Sequence, residues 1–390
     1  MTTRRRSLTI AGTIAQHAGR GGHTWAFLQY LVGFQKLGWD VLFLDRIEPD
    51  ASMTETGHPA PVQRSWNARY LERVMHCFGL DGHYALLSKG ACVAGLSRPQ
   101  VLKRVAESAA LINVMGVLDD HEILQAAQTR VFLDLDPGFP QMWRELALRD
   151  ALAGHDAYVT MAENMGKPGC TIPTCGLDWI TTRQPIVLDE WPACDLAGGS
   201  DSPITTVASW RGAYAPVGFQ GRMYGLRAHE FRRFAALPSL TGGRFEVALD
   251  IHPADVKDVQ LLFESGWWLV EPRRAAGDPW CYRDYIRSSS AELMVSKGMY
   301  VQARSGRFGH RSICYLASGR PVIAQDTGLD DLLPQGAGLL TFTTVEEAAE
   351  AADAIERDYD RHARGARRLA ESCFDSSDVL TSLTHKLHLH

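Results

Sequence analysis

Three features are scarce or missing in this sequence: long apolar runs, an excess of positive charge and paired cysteines. No run approaches the roughly 20 apolar residues that a membrane-spanning helix needs. Lysine and arginine together number 40, against 45 aspartates and glutamates. This balance argues against a nucleic-acid partner, since such domains usually carry a basic face. The eight cysteines show neither a disulfide nor a zinc spacing, so we expect buried free thiols in a reducing cytoplasm.

The amino terminus imitates an export signal, with a basic cluster followed by an apolar segment. Gln16, His17 and Arg20 cut that segment short, so the sequence favours a first buried strand and a cytoplasmic protein. The chain of 390 residues exceeds the length of about 250 to 300 residues at which one hydrophobic core stops growing. We therefore expect two domains.

The first half of the chain alternates short apolar strands with amphipathic helices. The strand SLTIAGTI is followed by a glycine-rich turn, the helical pattern TWAFLQYLVGFQKLG and the strand DVLFLD. Such a βαβ unit requires a parallel sheet, because the helix crosses over between strands that run in the same direction. Later segments predict three more strands: ALINVMG, RVFLDLD and AYVTMAEN.

A second alternating series follows a segment rich in Pro, Gly, Ser and Asp, whose inner part, between Arg183 and Pro203, we interpret as a linker. Its predicted strands are ITTVASW, FEVALDI, WWLVEP, AELMVS, YVQARS, RPVIAQ and LLTF. Residues 345–370 are rich in helix formers and predict a long helix. The predicted fold class is α/β, with two Rossmann-like doubly wound domains facing across a cleft. Their predicted bounds are 1–195 and 196–371, with 372–390 as a helix or tail against the first domain.

The segment from Tyr300 to Thr344 carries the strongest functional signal. It predicts a strand, a tight turn, a helix starting near His310, and a second strand that breaks into Asp326, Thr327 and Gly328. A helix start preceded by glycine and flanked by two arginines binds phosphate well, because free backbone N–H groups and the positive end of the helix dipole converge there. We therefore expect a nucleoside diphosphate. The turn contributes these candidate ligands: Arg307, Phe308, Gly309, His310, Arg311 and Ser312.

The order of features from residue 291 to 371 resembles the carboxy-terminal half of GT-B glycosyltransferases, particularly the group 1 sugar transferases. That family has a turn written Ser-x-Glu-Gly-Phe-Gly, a helix ending in Ala-x-Gly, a Pro-Val-Val-Ala strand and a polar-Gly loop. The matching residues are Ser305, Phe308, Gly309, Ala317, Gly319, Pro321, Val322, Ile323, Ala324 and Gly328. Near the amino terminus, Gly21-Gly22-His23 and the segment from Phe34 to Val41 are similar to the family's first turn and its entry into the second strand.

The resemblance implies transfer of a sugar from a nucleotide-diphosphate sugar to a hydroxyl or amine of a small-molecule or glycan acceptor. It implies a donor bound mainly by the carboxy-terminal domain, with no metal and no further cofactor. One departure stands out: the family's two glutamates fall at Gly306 and Cys314. We therefore keep two alternatives: an epimerase of nucleotide sugars on the same fold, and a binding protein that has lost catalysis.

Further candidates lie where predicted strands end at the cleft, since open α/β sheets bind ligands outside the carboxyl ends of their strands. The candidate ligands of the donor are Arg211, Ser296, Lys297, Asp326, Thr327 and Gly328. The alternative is that they are ordinary solvated loop residues. On the acceptor side we expect these: His17, Gly21, Gly22, Asn113, Glu163 and Asn164. Gly21 and Gly22 lack a Cβ and would let the first turn approach a ligand closely.

Three residues are candidate catalytic groups. His23 has an unperturbed pKa close to neutral pH and could act as a base on the acceptor. Asp134 and Asp136 share one face of a predicted strand, and their Asp-x-Asp spacing is also the metal-binding signature of GT-A transferases. A second Rossmann-like half contradicts the single-domain GT-A plan, so we favour acceptor contact or base work over metal binding.

Overall fold

Two parallel sheets, one in each half of the chain, form the framework of the molecule. The computed structural model describes residues 6–194 and 202–389. The inner part of the predicted linker, including the predicted domain boundary after residue 195, lies outside the described residues. Within the described ranges, no helix combines the length and apolar character needed to cross a membrane.

The first sheet has eight strands in the order β4-β3-β2-β1-β5-β6-β7-β8. All neighbouring pairs are parallel except β3 and β4, which form an antiparallel edge. Strands β1 and β2 are almost wholly buried because helices cover both faces of a parallel sheet. The bounds are β1 (Ser7–Gly12), β2 (Asp40–Arg46), β3 (Tyr84–Ser88), β4 (Ala91–Gly95), β5 (Leu111–Val114), β6 (Arg130–Asp134), β7 (Ala157–Thr160) and β8 (Trp179–Thr181).

Five helices accompany the first sheet: α1 (Gly21–Lys36), α2 (Trp66–Cys77), α3 (Arg98–Glu107), α4 (His121–Ala126) and α5 (Phe139–Glu145). Helix α1 is apolar on nearly all sides, which is typical of a fully buried helix. Helix α2 begins at Trp66. Ser65 is its N-cap, and the Ser65 hydroxyl accepts a hydrogen bond from the N–H of Ala68.

The second sheet has six parallel strands in the order β13-β12-β9-β14-β15-β16. Numbered within this sheet, the order is 3-2-1-4-5-6, as in doubly wound nucleotide-binding folds. An antiparallel hairpin, β10 and β11, stands apart from it. The bounds are β9 (Ile204–Ser209), β10 (Val217–Phe219), β11 (Arg222–Tyr224), β12 (Phe245–Asp250), β13 (Trp268–Val270), β14 (Ala291–Met294), β15 (Val322–Gln325) and β16 (Leu339–Phe342).

The described residues from 202 to 389 form ten α-helices: α6 (Arg227–Arg233), α7 (Leu237–Leu240), α8 (Val256–Glu264), α9 (Pro272–Ala276), α10 (Pro279–Arg287), α11 (Gly298–Gln302), α12 (His310–Ala317), α13 (Val345–Arg357), α14 (Tyr359–Cys373) and α15 (Ser376–Lys386). The predicted fold class of two Rossmann-like domains is thus confirmed.

Three local features differ from the prediction. The segment YVQARS is not a strand: Tyr300 lies in helix α11, where it packs with Met299 and Ala303 in a buried cluster. The predicted helix over 345–370 is divided at Asp358, whose side chain accepts from the N–H of Arg361 and caps α14. The hairpin of β3 and β4 was not predicted.

The chain crosses between the two sheets at two places, and the crossings are bonded to each other. Ile186 donates its N–H to the carbonyl of Phe374 at 2.8 Å and accepts from the N–H of Ser376 at 2.9 Å. Helix α15 then packs on α1 of the first half, where a side chain at Gly33 would meet Leu380. The carboxy-terminal helix therefore completes the amino-terminal layer of helices.

Candidate functional site

A cavity of about 620 Å³ lies between the two halves of the molecule, a volume within the usual range for small-ligand sites. It opens at the carboxyl ends of β1, β9 and β12. Ser209 and Asp250 are the last residues of β9 and β12, and His17 lies in the turn after β1; all three line the cavity. This is the edge at which doubly wound sheets bind ligands.

The amino end of helix α12 faces this cavity. Gly309 is its N-cap and supplies no side-chain hydrogen bond, so the first N–H groups of the helix are not capped by a side chain. His310 and Arg311, at the first two helical positions, line the cavity. The predicted helix start and its orientation toward the gap are thus present, and the site can hold an anion.

Arg227, which the sequence analysis did not single out, is the second cation of this corner. It begins helix α6 and lines the cavity. Its Nε has no hydrogen-bond partner in the described part of the chain. Burial, followed by repulsion from Arg311 and Arg307, lowers the pKa of Arg227 to about 9. A guanidinium held among like charges without a carboxylate partner is an open position for phosphate oxygens.

Arg311 is held differently from the expectation. Its Nε donates to the carboxylate of Glu292, which is fully buried in β14, and its Nη1 donates to the carbonyl of Val207. Burial opposes the charged form of Arg311, but Glu292 raises its pKa overall. Arg311 is therefore a structural ion-pair partner as well as part of the cavity wall, and only part of its guanidinium remains for a ligand.

Arg307 lies at the boundary of the two halves. Its Nε donates to the carbonyl of Leu135 at 3.1 Å, and its guanidinium stacks on Tyr300, 4.5 Å from the ring centre. Burial lowers the pKa of Arg307, with Asp136 acting in the opposite direction. It does not line the cavity, so it contributes positive potential to the corner formed by His310, Arg311 and Arg227 without belonging to its lining.

Three histidines meet where the halves approach. His310 donates its Nε2–H to the carbonyl of Gly22 at 2.8 Å, and His23 donates its own to the carbonyl of Thr13 at 3.1 Å. The rings of His17 and His23 lie 4.6 Å apart, edge to face. Burial lowers the pKa of His17 and of His310 to about 4 and that of His23 to about 3. All three are neutral at pH 7, which makes His23 a weak base.

The amino-terminal wall of the cavity contains an aromatic surface that was not predicted. Trp66 lies against Gly19, where an added Cβ would come within 2.6 Å of the indole. Met53 and Ala51 extend the apolar part, and Glu55 adds a carboxylate. The backbone carbonyl of Met53 accepts from the backbone N–H of Trp66 at 2.8 Å, which ties the Met53 segment to the start of α2.

The mouth of the cavity is bridged between the halves. Arg20, after β1, forms an ion pair of 3.4 Å with Asp250, at the end of β12. The same carboxylate accepts from the Ser209 hydroxyl at 2.9 Å. Glu271 and Arg273, just after β13, line the same end. Of these five residues only Arg20 was singled out in the sequence analysis, and there only as an interruption of the apolar segment.

The predicted catalytic carboxylates are placed away from the cavity. Asp134 is fully buried and accepts from Gln141 at 2.7 Å and Thr160 at 3.0 Å. Burial raises its pKa to about 7. Asp136 accepts from Nζ of Lys297 at 2.7 Å, so these two residues, predicted for base work and donor contact, neutralise each other across the two halves. Their predicted roles conflict with this placement.

Several predicted donor contacts are also corrected. Arg211 is exposed and forms a two-bond ion pair with Asp255 outside the cavity. Asp326 caps its own turn by accepting from the N–H groups of Gly328 and Leu329. Other predicted donor residues are buried or bonded within the fold: Ser296 next to Gln325, Phe308 stacked on Phe374, Ser312 inside α12, and Thr327 bonded to the carbonyl of Arg307.

The predicted acceptor residues divide in the same way. His17, Gly22 and His23 line the cavity. Gly21 and Gly22 allow close approach, as predicted, but to Asp278 and Tyr282 of the other half. The remaining three make structural bonds: Asn113 to Leu118, Glu163 to Arg183, and Asn164 to the carbonyls of Arg304 and Gly328. Asn164 also fills the space beside Gly306, where the family carries a glutamate.

Residues 6–194 and 202–389 contain no group of three or more His, Cys, Asp or Glu side chains that could hold a metal ion. Asp134 and Asp136, the Asp-x-Asp pair of the sequence, are engaged by Gln141, Thr160 and Lys297.

Comparison with known proteins identifies the architecture. No family model matches the sequence, and no curated protein matches it. Solved structures match over the whole chain. An alpha-glucosyltransferase (AGT) in complex with UDP is 11% identical, with a TM-score of 0.61 and coverage of 99% of this chain and 100% of that one. Anabaena HepE in complex with UDP and glucose gives the same identity, TM-score and coverage.

AviGT4, a glycosyltransferase involved in avilamycin A biosynthesis, is 12% identical, with a TM-score of 0.51 and coverage of 98% of this chain and 97% of that one. At such identities the likeness shows the fold. Two facing doubly wound domains with a cavity between their strand ends are the arrangement shared with these enzymes. The chain therefore has the GT-B glycosyltransferase fold.

Proposed function

We propose that this protein transfers a sugar from a nucleoside-diphosphate sugar to a hydroxyl or amine of a small-molecule or glycan acceptor. The observation that carries the proposal is the phosphate corner of the interdomain cavity, where the uncapped start of α12 meets Arg227 and Arg311. The neighbours with bound UDP make UDP the first nucleotide to test.

The corner suits a leaving diphosphate. Negative charge grows on the phosphate oxygens as the bond to the sugar breaks, and fixed guanidinium and N–H dipoles stabilise such charge in the transition state. Arg227 supplies the cation without a carboxylate partner, and Glu292 keeps Arg311 in place. This scheme assigns no step to a metal ion or further cofactor.

The acceptor would lie against the amino-terminal wall, between Trp66 and the histidines. Since the pKa of His23 is about 3, we assign His23 to orienting the acceptor through Nδ1, the ring nitrogen that does not bond to Thr13, rather than to early proton removal. Trp66 offers a flat apolar surface of the kind that stacks on the C–H face of a sugar ring. A small-molecule or glycan acceptor in a reducing cytoplasm agrees with the composition.

The epimerase alternative loses the carboxylates predicted for it, although Glu55, Asp250 and Glu271 still line the cavity. It requires acidic residues flanking the sugar, yet Asp134, Asp136 and Glu163 are buried or paired away from the cavity. Incubation of nucleotide sugars without acceptor separates the two: an epimerised sugar would favour the alternative, whereas slow hydrolysis would not.

The test begins with a thermal-shift panel of nucleoside diphosphates, because a ligand that binds only the folded protein raises its melting temperature by mass action. We expect at least one diphosphate to stabilise and its monophosphate to stabilise less. The corresponding UDP-sugar or other nucleotide sugar is then incubated with glycan, phenol, amine and DNA acceptors. DNA is included because one alpha-glucosyltransferase structure holds a 13-mer DNA. Tight nucleotide binding without transfer would support a binding protein and contradict the proposal.

A further inference from the structure

The outer face of helix α8, at the edge of the second sheet, is unusually apolar for an exposed helix. Phe263 is 76% exposed and Val256 is 62% exposed. The two lie seven residues, or two turns, apart and so share one side of the helix. In the part of the chain that the structure describes, no other element covers them. Two large apolar side chains exposed on one side of a helix favour an interaction site there.

The inner face of α8 is firmly fixed, so the exposed side does not turn inward. Leu262 is fully buried in the core of the second sheet. Asp258 accepts from the indole N–H of Trp210 at 2.7 Å and from Arg232 at 2.8 and 2.7 Å. Burial of Leu262 and the bonds of the largely buried Asp258 carboxylate therefore set the rotation of the helix about its axis.

The same outer face carries two charges without an ion-pair partner among the described residues. Lys257 lies near the amino end of α8 and Glu264 at its carboxyl end, again two turns apart. Gln260 lies midway between them and donates its Nε2–H to Glu264 at 2.7 Å. The α8 face, defined as Val256, Lys257, Gln260, Phe263 and Glu264, is thus basic at one end, acidic at the other and apolar at both.

We propose that this face binds a second copy of the chain, with the two α8 helices antiparallel about a two-fold axis near Gln260. Such an axis places Val256 opposite Phe263 of the second copy and Lys257 opposite Glu264 of the second copy. A two-fold interface must be self-complementary in this way, and the α8 face satisfies that requirement in both apolar surface and charge.

Strand β13 enlarges the contact. Leu269 pairs in register with Val247, whose side chain belongs to the core that α8 covers, so Leu269 lies on the same side of the sheet. It is 38% exposed at the sheet edge. A standard interface buries on the order of 800 Å² per partner, which is more than a nine-residue helix supplies alone, so the edge of β13 is part of the proposed interface.

A second copy fits this face better than a membrane surface does. Helices that lie on membranes carry several lysines and arginines to attract anionic lipids. The α8 face has one lysine and one glutamate, so it offers no net attraction to lipid, whereas opposite charges at its two ends match an antiparallel copy of itself.

The test measures self-association by sedimentation velocity across a dilution series of the full chain. We expect a concentration-dependent dimer, and we expect Phe263→Glu to abolish it. Leu148→Glu is the matched control, since Leu148 is 69% exposed on the other half of the molecule and should leave the dimer unchanged. Circular dichroism and melting temperature verify that each variant is folded.

Charge exchange makes the test specific to this geometry. Lys257→Glu alone and Glu264→Lys alone each replace two attractive pairs with two repulsive ones, and we expect each to weaken the dimer about tenfold. The double variant restores both pairs and should recover most of the affinity. A monomeric wild-type protein at every concentration would overturn the proposal, and so would a double variant no better than the single ones.

Discussion

At the scale of single residues, Arg227 is the position on which nucleotide binding is expected to depend most directly. Replacing it by alanine removes a charge-assisted hydrogen bond worth roughly 1.5–3 kcal/mol, so we expect UDP, or whichever diphosphate binds, to bind about 10- to 100-fold more weakly. The melting temperature should change little or rise, because the substitution relieves repulsion from Arg311 and Arg307. Calorimetric titration measures the affinity.

Arg211→Ala is the matched control for that measurement. Arg211 is an arginine of the same half, exposed and paired with Asp255 outside the cavity, so its loss should leave the affinity unchanged. Equal losses in the two variants would indicate a general effect of net charge and would contradict a specific phosphate site at Arg227.

Arg311 is expected to behave differently, because it neutralises a buried acid. Arg311→Ala leaves Glu292 charged and fully buried, and breaking a buried pair in this way costs roughly 3–5 kcal/mol of unfolding free energy. We expect urea denaturation to show that loss, and we expect Arg311→Ala combined with Glu292→Gln to regain part of it. If the single variant unfolds at the wild-type urea concentration, the ion pair does not stabilise the fold.

At the scale of elements, the starts of α1 and α12 meet through His23 and His310, and this contact makes stability depend on pH. Both pKa values are lower in the folded protein than the ordinary value of 6.5. A group of this kind contributes its full stabilisation above pH 6.5 and loses it as the pH falls toward the folded value, because the unfolded chain then binds more protons.

We therefore expect the difference in melting temperature between the wild type and His23→Gln to shrink from pH 7 to pH 4. The comparison with a variant is needed because Asp134, whose pKa is raised to about 7, acts in the opposite direction and destabilises the fold as the pH rises above about 4. A difference that stays constant across this pH range would show that His23 is not held neutral by burial.

Helices and strands were predictable from the sequence where one hydrophobic pattern dominated a segment. They were not predictable where tertiary packing determined the secondary structure. The strands around Leu42 and Ile323 and the helix at His310 follow from apolar runs and a glycine N-cap. The segment at Tyr300 contains β-favouring residues, but burial of Met299 and Tyr300 against the first half selects a helical turn instead. No local pattern records that contact.

At the scale of the whole molecule, a largely buried ion pair joins the two halves. Lys297 and Asp136 are 16% and 21% exposed in their side chains, and Lys297 also lies 5.1 Å from the ring of Phe139. Replacing Lys297 by methionine leaves Asp136 without its partner at the boundary. We expect faster hydrogen exchange in residues 134–138 and 298–308, reported by mass spectrometry, as the halves separate more often.

Lys36→Met provides the comparison for that experiment. Lys36 pairs with Asp189, but their side chains are 44% and 80% exposed, and exposed pairs contribute only about 0–1 kcal/mol. Exchange in the same segments should then match the wild type. Unchanged exchange in Lys297→Met would show that other contacts, such as those of Asn164, are sufficient to hold the boundary closed.

The candidate site was predictable only in part, because some of its residues come together only when the two halves of the molecule approach each other. The phosphate corner at His310 and Arg311 follows from local sequence, because a helix start needs no distant residue to create its dipole. Arg227 and Trp66 do not belong to any recognisable sequence motif. Only the approach of the two halves brings them to one cavity. Lys297 and Asp136 were each predicted to meet a ligand, and instead they meet each other.

The bonded crossings at Ile186 and Ser376 have a consequence for how the protein is made. Helix α15, near the end of the chain, belongs to the layer that shields α1, so translation delivers a missing piece of the first half only after the second half has been synthesised. The portion that emerges first from the ribosome is finished last, and a nascent chain halted before residue 376 presents an uncovered α1 to chaperones and proteases.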